Sequence, residues 1–149
     1  MKSRTQFLIG MGVIIVMTGI ALFTFLTRNQ QPGQIFPATV NRDCAPWDGP
    51  AFTVSIPYDS ASTIMISIWQ SPDRLFPSTF SFPDETGWVG NAIRVTSSDE
   101  YEQLIGKVIL GRVEQGTPVK GEFRLRAESG EQFRGKFEAQ WGNEMVYCG

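Results

Sequence analysis

"VKGEFRLRAESGEQFRGKFEAQW", residues 119–141, alternates apolar and polar side chains on either side of a Glu-Ser-Gly-Glu turn. Val119, Gly121, Phe123, Leu125 and Ala127 fall on one face of the first run; Phe133, Gly135, Phe137, Ala139 and Trp141 fall on one face of the second. A period of two is the signature of a strand with one dry and one wet side. The two runs therefore predict an antiparallel hairpin. Its register is tightly specified, because a one-residue slip would carry the charged face into the core.

That wet face carries Lys120, Arg124, Arg126, Arg134 and Lys136, with Glu122 and Glu138 among them. Cross-strand pairs of opposite charge contribute about 0.2–1 kcal/mol each to a sheet, and long basic side chains discourage edge-to-edge association. The interspersed glutamates favour solvated surface over a basic face that contacts an anionic polymer, phospholipid head groups or an acidic partner.

Upstream, "AFTVSIPY" (51–58) and "STIMISIW" (62–69) alternate in the same way around a short Asp-Ser-Ala turn, and predict a second hairpin in which Pro57 marks a strand end or an edge. Residues 71–90 hold three prolines and several aromatics, and read as a long loop with one short edge strand near Thr79–Phe82. "NAIRV" (91–95) and "KVILGRV" (107–113) read as further strands, and "EMVYC" (144–148) closes the domain. Between those two strands, Ser97 and Glu100 form a capping-box pattern ahead of Tyr101, Leu104 and Ile105, which predicts one or two helical turns over "SSDEYEQLI". Many short strands with turn signals about every ten residues predict an all-β fold: an antiparallel β-sandwich or small barrel.

The N-terminus is of another kind. Residues 7–26, "FLIGMGVIIVMTGIALFTFL", are twenty residues without a charge. As a helix they would span roughly 30 Å of hydrocarbon. Gly19 and Ala21 would suit signal-peptidase cleavage, but the apolar run continues past them and is longer than a signal core. The expectation is one uncleaved transmembrane helix, a signal anchor, with a cytoplasmic tail at 1–6, a Pro/Gly-containing linker at 27–43 and an extracytoplasmic β domain at 44–149. Lys2 and Arg4 on one flank are balanced by Arg28 and Arg42 on the other, so basic residues do not set the orientation. The cysteines do. Cys44 and Cys148 are the only two, and an even pair bracketing a domain predicts a disulfide in an oxidising compartment, the periplasm or cell surface.

The ending resembles the closing hairpin of uncharacterised bacterial exported or lipid-anchored β domains, which read G-x-F, a turn, G-x-F-x-A, then a terminal Cys. The matching positions are Gly121, Phe123, Gly135, Phe137, Ala139 and Cys148. The resemblance covers about the last 43 residues. It implies an exported β architecture and no particular activity. An apolar run takes the place of the lipidated cysteine.

Composition narrows the chemistry. There is no histidine among the 149 residues, so no Ser-His-Asp or Cys-His catalytic set and no His-ligated metal can be built within the chain. A net charge of −2 does not point to nucleic acid. Nine acids lie within residues 43–102 against Arg74 and Arg94, but no calcium-loop spacing joins Asp48, Asp59, Asp73, Asp84 or Asp99, and acids at turns and caps explain them more simply. No G-x-S-x-G, S-x-x-K or phosphate-cradling glycine loop marks a nucleophile or nucleotide site. No cofactor is expected, and an enzyme is the least favoured class. Trp47, Trp69 and Trp88, with Phe76, Phe80 and Phe82, concentrate in the first half of the domain. They are candidate ligand-contact aromatics, set against the simpler role of anchoring loops to the core. The expected function is a membrane-tethered, non-enzymatic module that binds another membrane or envelope protein or stiffens an envelope assembly. The alternative is a surface carbohydrate-binding module that uses the three tryptophans.

Overall fold

The computed structural model describes residues 34–69, 76–143 and 146–148. The expected cytoplasmic tail, the apolar run 7–26 and the first part of the linker lie outside the described residues. No helix among the described residues is long and apolar enough to cross a membrane. Residues 33–149 form one compact unit.

Among the described residues eight strands follow in order: β1 (Ile35–Cys44), β2 (Pro50–Pro57), β3 (Ser62–Trp69), β4 (Ser78–Phe82), β5 (Gly90–Thr96), β6 (Tyr101–Leu110), β7 (Val119–Ala127) and β8 (Gln132–Trp141). Seven of them close a ring, β1–β2–β3–β5–β6–β7–β8–β1, and β4 adds to β6 outside the ring. The fold is thus a closed barrel and not a sandwich. All ring pairings are antiparallel except β1–β8, which is parallel. An odd number of strands cannot close with antiparallel pairs alone, so one parallel seam is required.

The β7–β8 hairpin forms as its alternation predicts. Phe123 lies across from Gly135, and Phe137 across from Gly121. A Cβ at Gly135 would sit 2.4 Å from a Phe36 ring carbon, and one at Gly121 would sit 2.4 Å from the Phe137 ring. Each glycine of the G-x-F pattern makes room for a ring, which lets two strongly curved strands close around an aromatic interior. That interior is filled. Val40, Val54, Ile56, Ile64, Ile66, Leu104, Val108, Phe123, Phe133 and Phe137 are at most 2% exposed, as expected of a barrel too small to hold a channel.

Three sequence expectations are corrected. First, residues 35–43 are not linker but most of β1. Their alternation, with Phe36, Ala38 and Val40 buried, is obscured by Pro37 and by short side chains. Pro37 is tolerated because β1 is staggered: residues 35–40 pair with β8, but pairing with β2 begins only at Thr39. Cys44 accordingly ends the first strand instead of opening the domain. Second, residues 97–105 are not helical. Asp99 takes a left-handed conformation (φ 57°) in the turn linking β5 to β6, which the Thr96 N–H closes by donating to the Glu100 carbonyl at 3.0 Å. Pairing of residues 104–110 with β7 overrides the local capping signal. Third, the strand expected at 107–113 runs from 101 to 110. The edge strand expected near Thr79–Phe82 is β4.

Gly106 marks where β6 changes partner. Residues 101–103 pair with β5 and residues 106–110 with β4. Gly106 has φ 144°, and a Cβ there would lie 2.2 Å from the Arg124 carbonyl oxygen, so the crossing of three strands leaves room only for glycine.

One barrel end, formed by the β2–β3, β5–β6 and β7–β8 turns, is where the chain enters β1. It is plugged by Tyr58, which stacks on Phe36 (5.1 Å) and meets Phe133 edge-on (5.2 Å). Arg94 caps the plug. Its guanidinium lies 5.2 Å from the Phe133 ring centre and bridges Glu102 (2.5 Å) and Glu131 (2.7 Å). Burial works against its charge, but the two carboxylates outweigh burial and raise its pKa.

Candidate binding site

The other end of the barrel gathers Trp47, Trp69 and Trp88. Trp47 stands on the turn between β1 and β2. There the Ala45 N–H donates to the Gly49 carbonyl (2.8 Å) and Asp48 is left-handed (φ 59°). A Cβ on Gly49 would lie 2.6 Å from the Trp47 indole nitrogen, so glycine lets the ring fold back over its own turn. Trp69 ends β3 opposite Ala51, a small partner. Trp88 rides the loop from β4 to β5, which Asp84 organises. The Asp84 carboxylate accepts from the Gly87 N–H, the Val89 N–H (2.7 Å) and the Thr86 hydroxyl (3.1 Å), and the Trp88 N–H donates to Thr86 Oγ1 (3.3 Å). The Trp69 N–H then ties the loop to β3 through the Val89 carbonyl at 2.9 Å.

The three indoles touch in series. Trp47 meets Trp69 edge to face (5.6 Å, 84°) and Trp88 at a tilt (4.9 Å, 56°). Trp69 is half-buried, while Trp47 is 43% and Trp88 62% exposed. They form a wedge with Trp88 outermost, not a coplanar shelf. Loop geometry supplies the rigidity, and so does the chain terminus: Cys44, immediately before the Trp47 turn, is bonded to Cys148 with Cα atoms 5.6 Å apart. Beside the wedge runs a polar row on the outer wall. The Thr53 hydroxyl donates to Asp43 (2.6 Å) and is 2.8 Å from the Ser67 hydroxyl. Asn91, opposite Ser67, has a buried Oδ1 without a hydrogen-bond partner among the described residues.

The other candidates disperse. Phe80 and Phe82 are core, and Phe76 packs against it. Trp141 is half-buried on the inward side, and its indole N–H donates to the Glu114 and Thr117 carbonyls. The acids weighed for calcium serve turns: Asp84 as above, and Asp59 by accepting from the Ala61 N–H (2.8 Å). Asp73 lies outside the described residues. No group of three or more Asp, Glu, Cys or His among the described residues could hold a metal ion. Lys120, Arg124, Arg126, Arg134 and Lys136 are exposed on the outer face of β7 and β8. Sequence reading missed the Arg94–Glu102–Glu131 bridge and the Tyr58 plug. The alternation of "NAIRV" places Arg94 on the face of Ala92, which is a signal that this cation turns inward.

Comparison with protein-family models, with curated proteins and with solved structures finds no match to this chain.

Proposed function

We propose that the barrel is a non-enzymatic binding module, held outside the cytoplasm by the apolar run 7–26, and that it grips a membrane or envelope protein through its tryptophan end. The observation that carries this reading is the wedge itself. Three indoles from three separate chain segments converge, and the outermost is 62% exposed on a loop locked by Asp84. Rigid, partly exposed tryptophans that lose little entropy on contact are the residues that dominate protein interfaces. The indole planes lie 56° and 84° apart, which suits insertion into a partner's pocket better than stacking along a flat polymer.

The test uses the full chain in its native membrane. After mild solubilisation, Trp88→Ala is expected to lose a stoichiometric partner that the parent chain retains, at unchanged melting temperature. A photoreactive residue at position 88 is expected to crosslink to that partner. Co-purification that survives both Trp88→Ala and Trp47→Ala would overturn the proposal.

A carbohydrate-binding role is the second reading, favoured by Asn91 and the Asp43–Thr53–Ser67 row beside the indoles. Aromatic faces flanked by amide and hydroxyl groups suit a sugar. Polysaccharide retention that vanishes with Trp88→Ala, in the absence of any protein partner, would install that reading in place of the first.

A further inference from the structure

On the wall made by β6, β7 and β8, Lys120 faces Glu138 and Glu122 faces Lys136, but one row carries a charge arrangement that strand pairing disfavours. Across three neighbouring strands, Lys107 of β6 lies opposite Arg124 of β7, and Arg124 opposite Arg134 of β8. Like charges placed directly opposite destabilise a sheet. Arg126 extends the cluster in the next row, where its neighbours are Ile105 and Gln132. The wall's two acids, Glu122 and Glu138, stand nearer the tryptophan end. There they engage Arg124 (2.8 Å) and Lys120 (3.4 Å). Lys107, Arg126, Arg134 and Lys136 form no ion pair among the described residues. In the adjoining turn Glu131 is taken by Arg94, and Glu128 forms no ion pair among the described residues. The outward side chains of β6, β7 and β8 thus comprise six bases and two acids, a surplus of four positive charges on a chain whose net charge is −2.

The surplus is concentrated at the end where the chain enters the barrel. Ile35, the first residue of β1, pairs with Lys136 beside the basic row and is 61% exposed. Ile109, 46% exposed, lies on the same wall. Nine residue steps separate Leu26, the end of the apolar run, from Ile35. Fully extended they reach at most about 30 Å.

We infer that the β6–β7–β8 wall docks on an anionic phospholipid surface, with Lys107, Arg124, Arg126 and Arg134 over the head groups and Ile35 and Ile109 at the polar–apolar boundary. Basic clusters close to a membrane segment are drawn to anionic lipid and fall away within a Debye length. Exposed aliphatic residues beside them add burial at the interface. The wall rests on the reading of residues 7–26 as an anchor, but the tryptophan wedge plays no part in it. Docking in this way would fix which side of the barrel faces the bilayer while leaving the tryptophan end open.

The test reconstitutes the full chain in nanodiscs of phosphatidylcholine alone or in an equimolar mixture with phosphatidylglycerol. A fluorescent donor is placed on the wall (Gln132→Cys) or at the same barrel end on the opposite wall (Thr63→Cys), and acceptors are placed on lipid head groups. In mixed discs, energy transfer from position 132 is expected to exceed that from position 63. In neutral discs the difference should disappear. It should also disappear in mixed discs at about 1 M salt, where the Debye length falls to about 3 Å, and with Lys107→Gln, Arg124→Gln and Arg134→Gln combined. A single Arg134→Gln, should the triple variant unfold, is expected to lose part of the difference. Co-elution of chain with discs but equal transfer in both lipids overturns the docking surface and leaves the anchor standing. Failure to co-elute overturns both. Charge-dependent capture of dextran sulfate with no response to lipid composition would make the wall a site for a soluble polyanion, and would also overturn the proposal.

Discussion

Arg94 shows what a single inward charge does in this barrel. Its side chain is 21% exposed and is held by two carboxylates over the Phe133 ring. Arg94→Met would remove the cation and leave Glu102 and Glu131 near each other. Between the small worth of exposed pairs and the several kcal/mol of fully buried ones, a loss of about 1–2 kcal/mol is expected in urea unfolding. Tyr58, in the same plug, gives a pH signature. Burial first, and then the nearby Glu131 and Asp59, hold its pKa above the ordinary 10.0, against a hydrogen bond with the Arg134 backbone. Above pH 10 the unfolded chain ionises this phenol before the folded one does, so the folded state binds more protons and stability falls as pH rises. Its contribution is intact below pH 10 and lost as pH climbs through the folded value. Tyr58→Phe is expected to flatten that part of the alkaline stability profile; an unchanged slope would place the loss elsewhere. Gly135→Ala tests packing. A methyl 2.4 Å from Phe36 forces the ring to move, and overpacking of this kind costs about 1–3 kcal/mol.

At the level of elements, the informative pieces are the joints. The loop from β4 to β5 is shaped by one carboxylate that accepts three hydrogen bonds. Asp84→Ala leaves two backbone donors without that partner and frees Trp88. A stability loss of about 1–2 kcal/mol is expected, together with faster amide exchange at Gly87 and Val89. Exchange as slow as in the parent chain would show that the loop is held by other means. The alternation of the two G-x-F strands was legible in the sequence because each strand repeats its pattern over nine or ten residues. The β1 strand and the β5–β6 turn were not. In one, a proline and an alanine weakened the pattern; in the other, a local capping box competed with pairing partners some twenty residues downstream.

At the scale of the whole barrel, closure joins β1 to β8, and the disulfide repeats that closure covalently. Cys44 and Cys148 are 104 residues apart. In the chain-entropy picture a loop of that size is worth up to about 4.7 kcal/mol. Paired Cys44→Ser and Cys148→Ser substitutions are expected to lower the melting temperature by several degrees. The Trp47 turn should loosen with them, seen as greater tryptophan quenching by iodide. A melting temperature indifferent to reductant would remove the bond from the account of stability.

By itself, the sequence determined that the domain is all-β, which faces of its long strands are dry, and that histidine-based chemistry is outside its reach. Those properties follow from composition and from the two-residue period, which act along the chain. Only the tertiary structure decided that the sheet closes into a barrel with one parallel seam, that Arg94 meets Glu102 and Glu131, and that Trp47, Trp69 and Trp88 meet while Phe80 and Phe82 sink into the core. Residues 47, 69 and 88 carry no local signal of one another. They become neighbours because strand register, set by burial across the entire ring, brings three separate segments to the same end.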